Sequence, residues 1–225
     1  MGESTSLSKR ELRFLSFGIL FLAAANIVDL IFGKPFWIIT RFIYLGYDDN
    51  VSTWYSSMLL AVASLIAYEC WIYANNRKIQ GGKSLLWLAC LLIFMSADEV
   101  ARFHEIFGGY AAKFFGLSSK GFAKHSAWVW IGGPVVITIF IGFMLLLKGV
   151  LSLVPRSMFY LALGFSLIVL GGIFLESTTN FLNQQNLKWI WSIEVILEEV
   201  LEMIGTMFLA YALITWKTGI VDLYE

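Results

Sequence analysis

The sequence predicts an all-α, polytopic membrane protein: one domain over residues 1–225, built as a bundle of about six transmembrane helices. Three observations predict it. Apolar runs of spanning length recur along the chain. The composition is 59% hydrophobic with a mean hydropathy of +0.75, which excludes an ordinary soluble domain and excludes disorder. Each connection between runs carries polar or breaker residues, and no linker, repeat or second domain interrupts them.

The first helix is expected near 12–33, after Lys9, Arg10 and Arg13. Basic residues, an apolar run and Ala23-Ala24-Ala25 imitate a secretory signal with its cleavage site. The run continues to Phe32, long enough to span, so it is read as a retained helix. Lys34-Pro35 ends it. Residues 35–47 are aromatic and apolar and are expected to lie in the interface, capping one face of the bundle. Asp48-Asp49-Asn50 then leads into a helix near 54–75, and Asn75-Asn76-Arg77-Lys78 with Gly81-Gly82 separates that from a third near 84–106. Residues 106–122 form a second interfacial segment. The fourth helix is expected near 126–148, with a kink at Gly132-Gly133-Pro134. Pro155-Arg156 opens the fifth, near 157–178, where Gly171-Gly172 points to close helix packing rather than ligand binding. Asn183 to Asn186 precede the sixth, near 194–216.

Orientation follows from the basic residues. One side holds Lys9, Arg10, Arg13, Arg77, Lys78, Lys83, Lys148, Arg156 and Lys217; the other holds Lys34, Arg41, Lys113, Lys120, Lys124 and Lys188. The richer side is cytoplasmic by this rule, which places both termini there. Trp37, Trp54, Trp128, Trp189 and Trp191 then fall at outer ends, and Trp71, Trp87 and Trp216 at inner ends. Formal net charge is zero with scattered bases, so no nucleic acid is expected as a partner; the bilayer is. Cys70 and Cys90 read as small buried hydrophobes. With two histidines in the chain, His104 and His125, the His-rich metal sites of membrane desaturases and ceramidase-like hydrolases are excluded.

Acids mark the functional region. Asp98, Glu99, Glu105, Glu176, Glu198, Glu199 and Glu202 lie in or beside apolar helices, with His104 among them and Arg102 as the nearby base. A carboxylate at a helix centre in hydrocarbon costs roughly 2.5–3.5 kcal/mol, so several together need a metal, shared protons or a water-filled cavity. Depth supports a common location. Asp98 is eleven residues outward from Trp87, and Glu202 eleven inward from Trp191. Each displacement is about 16 Å at helical rise, near the midplane. Glu198, Glu105, Glu176, Asp29 and His125 fall in the outer half. Glu194, Glu198 and Glu202 form an i, i+4, i+8 stripe, Asp98 and Glu105 share a face, and Glu176 stands with Asn180 at i+4. His104 is about a third of a turn off the Asp98 face and joins it only if the helix distorts or a neighbour approaches from that side.

Structural roles stand beside the functional ones. Asp98, Glu99 and Glu105 can all reach Arg102 in an intrahelical network. Asp29 can cap or pair with Arg41, His104 can be a bonded structural histidine, and Glu194 can be a solvated interfacial residue. Glu176, Glu198 and Glu202 have no Lys or Arg within a turn or two on their own helices. Like charges at i, i+4 repel, so protonation or a cation is expected among them. Carboxylates with one or two imidazoles suit a hard or borderline ion, Mn, Fe, Zn or Ca. The metal-ligand candidates are Asp98, Glu99, His104, Glu105, Glu176, Glu198 and Glu202, for a divalent or transition metal ion with Fe, Mn or Zn favoured. The composition is like that of bundle-core dimetal proteins, but Asp98-Glu99 precede His104-Glu105 by six residues, which is not their Glu-x-x-His spacing.

Three stretches carry a resemblance: Asn50-Val-Ser-Thr-Trp-Tyr-Ser-Ser57, Ser96-Ala-Asp-Glu with His104-Glu105, and Leu197-Glu-Glu-Val-Leu-Glu-Met-Ile-Gly205. Together the chain resembles an uncharacterised family of multi-pass bacterial inner-membrane proteins over helices two through six. The resemblance implies no activity; it implies that the acidic and His positions are the family's signature residues.

Three functions compete. A membrane-embedded metal-dependent enzyme would act on a lipid or small substrate from the outer side, with a carboxylate such as Glu176 as general base. A cation- or proton-coupled transporter would use the same midplane acids. It would need polar lining in both halves, and Leu85–Met95, Met203–Trp216 and Met158–Phe174 are nearly uncharged. A subunit of a membrane complex would pair its acids with a partner's bases, and a homo-oligomer could also supply missing lining.

Overall fold

The computed structural model describes residues 9–35, 37–47, 49–116, 127–178 and 187–224. Among them every regular element is helical. In chain order these are α1 (Lys9–Ile31), α2 (Trp37–Ile43), α3 (Val51–Asn76), α4 (Lys83–Ala101), α5 (Phe103–Phe114), α6 (Ala127–Leu151), α7 (Pro155–Val169) continued by a π-helical turn (Leu170–Leu175), and α8 (Lys188–Tyr224). Five are long and apolar enough to cross a membrane: α1, α3, α4, α6, and α7 with its π extension to Thr178. The short α2 lies within the stretch 35–47, and α5 starts at Phe103 and overlaps the first part of 106–122, the two segments expected at the interface.

The 37-residue α8 is the axis of the fold and packs against α1, α3 and α7, while α3 pairs with α4 and α5 with α6. Small residues make these approaches close. Ala63, Ala67, Cys70 and Ala74 repeat at helical spacing along α3 and are fully buried. At the α7–α8 crossing Gly164 and Gly205 face each other: a Cβ on Gly205 would stand 2.7 Å from the Gly164 carbonyl oxygen. Beneath the crossing the core is apolar, with Leu85, Leu88, Leu92, Leu147, Leu151, Leu161, Leu213 and Trp216 all buried.

Hydroxyls and amides join the helices where no water competes. Ser57 Oγ donates to the Ser96 carbonyl at 2.8 Å, and Ser96 Oγ returns the bond to the Ser57 carbonyl at 2.8 Å. Ser64 Oγ reaches the Ala89 carbonyl at 2.7 Å, Ser157 Oγ the Ala212 carbonyl at 2.8 Å, and Trp216 Nε1 the Val150 carbonyl at 2.8 Å. Asn50 caps α3, its Oδ1 accepting from the Ser52 and Thr53 amides.

Several expectations change. The helix expected over 84–106 ends at Ala101, because Arg102 adopts a left-handed conformation (φ 56°, ψ 39°) and α5 starts afresh at Phe103. Arg41 pairs with Asp49, not Asp29; Asp29 accepts from Thr40 Oγ1 at 2.9 Å instead. Cys70 is buried as expected, whereas Cys90 is exposed on the apolar surface of α4. Pro134 lies inside α6, within the span near 126–148 expected for the fourth helix. His125 and Asn180 lie outside the described residues.

Candidate functional site

The break at Arg102 builds the site. It turns the chain so that the α5 N-terminus faces back onto α4, and Asp98 fills the position. Asp98 Oδ1 accepts from the His104 amide at 2.9 Å, and Oδ2 lies 2.7 Å from His104 Nδ1. The carboxylate thus satisfies an orphan donor at a helix start and fixes the imidazole. With Nδ1 given to Asp98, Nε2 is the ring atom left for a ligand or proton. Burial alone would pull the His104 imidazole down. The Asp98 hydrogen bond and charge, with Glu176 and Glu105 behind it, more than offset that and hold it above its ordinary value.

The other side of His104 is closed by Trp128, whose ring meets the imidazole edge-on at 4.6 Å between centroids. Trp128 Nε1 also donates to Glu176 Oε1 at 2.5 Å. Asp98, His104, Trp128 and Glu176 therefore form one connected set drawn from α4, α5, α6 and the end of α7. Gly108 lets α5 and α6 come this close, since a Cβ there would fall on Trp128. Arg102 reaches Glu105 through Nε at 3.0 Å.

On α8, Glu198, Glu199 and Glu202 face the same space. The π turn ahead of Glu176 meets them. A Cβ on Gly171 would stand 2.8 Å from the Glu198 carbonyl oxygen, so this glycine permits close packing. A Cβ on Gly172 would occupy the place of Glu202 Oε1, so that glycine leaves room for a carboxylate. π turns inside helices recur at functional sites.

All these groups line one cavity of about 510 Å³. Its polar lining includes Asp98, Glu99, Arg102, His104, Glu105, Glu176, Glu198, Glu199 and Glu202; its apolar lining includes Leu91, Phe94, Met95, Val136, Phe140 and Ile168. The sequence-derived candidates thus share a single space. Glu194 does not line it: it is 5% exposed and packed away from solvent, not a solvated interfacial residue. Sequence reasoning missed Trp128 as a site residue, because an aromatic at a helix end reads as a membrane anchor. It also missed Thr53, Ser56 and Thr206, whose small hydroxyls in the lining carry no distinctive pattern. Glu69 was missed as well; it pairs with Lys217 at 3.1 Å, remote from the cavity.

The donor set of carboxylates and one imidazole suits a hard or borderline divalent ion. Among the described residues, no three His, Cys, Asp or Glu side chains converge closely enough to chelate an ion as they stand.

The chain belongs to a family defined by a domain of unknown function, DUF8692, whose pattern matches residues 35–216. No curated protein and no solved structure matches it. The match takes in all three stretches on which the resemblance rests, and these stretches meet at the cavity: Thr53 and Ser56 from the first, Asp98 to Glu105 from the second, Glu198 to Glu202 from the third.

Proposed function

We propose that this chain is a bacterial inner-membrane protein of six spanning helices, with α8 as the sixth and both termini cytoplasmic, and that its cavity binds a divalent or transition metal ion, with Fe, Mn or Zn favoured. We propose further that it is an enzyme acting on a lipid or small substrate. The observation that carries this is the convergence of three distant stretches on a cavity lined by both carboxylates and apolar side chains. About 510 Å³ is the size of a small-molecule site.

A bound ion supplies Lewis-acid or redox chemistry. The residues supply the rest. Asp98 holds His104 in one orientation and stabilises its protonated form. Glu176, held by Trp128, is placed to take a proton from a group lying between α5 and α8. Leu91, Phe140 and Ile168 offer the apolar end of the substrate a dry surface. A two-sided cation pathway would need polar lining on through the inner half. That half is filled instead by Leu88, Leu92, Leu161 and Leu213, which favours a site open to one side.

Elemental analysis of detergent-purified protein, without chelators, tests the reading. Stoichiometric metal is expected in the wild type and lost in Glu198→Ala/Glu202→Ala, with Glu202→Gln as the milder variant that still inserts. Equal metal content in all three would sink the site assignment.

A further inference from the structure

A second cavity, of about 520 Å³, lies away from the acidic site between α1, α7 and α8. Its α1 wall runs from Leu12 to Ala23 and its α8 wall from Val200 to Tyr211, eleven residue steps in each case. Eleven steps of helix cover about 16 Å, close to half of a ~30 Å hydrocarbon core. The groove is therefore one leaflet deep. The two helices are antiparallel along it: Ile19 and Leu22 pack with Ile196 and Met203, while Leu12 joins the core around Leu213 and Trp216. Arg13 accordingly stands at the same end as Tyr160 and Tyr211, whose rings meet edge-on at 4.8 Å. Beyond that end the walls are apolar, through Ile19, Ile204 and Met207.

We propose that this groove holds an acyl chain of an anionic phospholipid whose phosphate sits on Arg13. The inference rests on the membrane-spanning reading above. Length argues for a chain: the groove runs about 16 Å, one leaflet, which is the reach of a single acyl chain from headgroup level. Charge argues for an anionic head. Arg13 is the one charged side chain in the lining among the described residues, it is exposed, and no acid lines the groove beside it. A guanidinium matches phosphate geometry in two hydrogen bonds. Its depth, one leaflet from the far end of the groove, is that of a headgroup.

The test is native mass spectrometry of full-length protein released from nanodiscs of mixed phosphatidylglycerol and phosphatidylcholine. The wild type should retain one phosphatidylglycerol in preference to phosphatidylcholine. Arg13→Gln should reduce that preference about fivefold, the worth of one basic residue at an anionic surface. Ile204→Trp, which fills the groove, should remove the adduct, and Glu202→Gln in the other cavity should leave it. An unchanged preference in Arg13→Gln, or a protein that inserts but carries no lipid, overturns the proposal while leaving the membrane assignment intact. A dimer that Ile204→Trp dissolves also overturns it, because a second copy then covers the groove. Recovery of the protein in the aqueous phase without detergent would instead overturn the membrane reading itself.

Discussion

Replacing Arg102 by glycine and by alanine separates two forms of the α4–α5 region. A left-handed conformation costs an ordinary residue roughly 1–2 kcal/mol, and Arg102 occupies it at φ 56°. Glycine removes that strain but adds about 0.4–1 kcal/mol of chain entropy to be lost on folding. Alanine keeps the strain. Both variants lose the Arg102–Glu105 pair, which is substantially exposed at both side chains and worth about 0.2–1 kcal/mol. That loss cancels in the comparison. Arg102→Gly should therefore be more stable than Arg102→Ala by about 0.5–1 kcal/mol. In a continuous helix the order reverses, because glycine in a helix interior is about 1 kcal/mol worse than alanine. Equilibrium unfolding in mixed detergent micelles reads the sign. If alanine is the more stable variant, α4 runs on through residue 102, and the Asp98–His104 arrangement that depends on the break is wrong.

Two further outcomes follow from particular contacts. His104 sits above its ordinary value in the folded protein, so its contribution to stability is fully present below about pH 6.5. It is lost as pH rises through the folded value. The stability difference between wild type and Asp98→Asn, measured in metal-free protein, should accordingly be about 1.5–3 kcal/mol near pH 6 and shrink as pH rises above 6.5; a difference that grows instead contradicts the pairing. Gly205→Ala places a Cβ 2.7 Å from the Gly164 carbonyl oxygen. Overpacking of about 1–3 kcal/mol should outweigh the roughly 1 kcal/mol gain in helix propensity. Gly142→Ala, with nothing within 4 Å of the new methyl, should be neutral or stabilising; equal effects at the two glycines would mean that α7 and α8 do not cross there.

Spanning lengths were legible because apolar runs of twenty residues admit few other readings. The acids were legible because charge in an apolar run is costly and therefore informative. Depth counted from Trp87 and Trp191 brought Asp98 and Glu202 to one level, and in the structure both line the same cavity. The break at Arg102 was not legible. Ser96–Ala101 and Phe103–Phe114 carry no Pro or Gly at the junction, and the residue that turns the chain is a good helix former. What accompanies the break is a side-chain contact six residues along the chain, since Asp98 gains the His104 amide and imidazole only if the chain turns. The helical phase of His104 did hold a hint, since a third of a turn of mismatch had to be removed for it to join Asp98. The π turn before Glu176 was hidden for a similar reason. Gly171-Gly172 announces close approach, but what approaches, the Glu198 carbonyl and the Glu202 side chain, comes from another helix.

Charge balance ties the two halves of the site together. Among the described residues seven carboxylates line the cavity, and Arg102 with a protonated His104 returns two positive charges, a formal −5 from these groups if all seven ionise. Local hydrogen bonds relieve part of this: Asp98 is held by the start of α5, Glu105 by Arg102, and Glu176 by Trp128. On α8, Glu198 and Glu202 lie one turn apart, and the Glu202 carboxylate takes the room that Gly172 leaves. A divalent cation drawn between α8 and His104 would lower their mutual repulsion, so its binding should appear as stability. A ligand at one hundred times its dissociation constant adds about 2.7 kcal/mol when it binds only the folded state. Zn, Mn and Fe(II) titrations against chelator-treated protein should raise the unfolding midpoint for at least one ion, and Glu198→Gln/Glu202→Gln should be more stable than wild type without metal and insensitive to it. A wild type that responds to none of the three, or a double variant that responds equally, would place the compensating charge elsewhere: in protons shared among the acids, or in the bases of another chain.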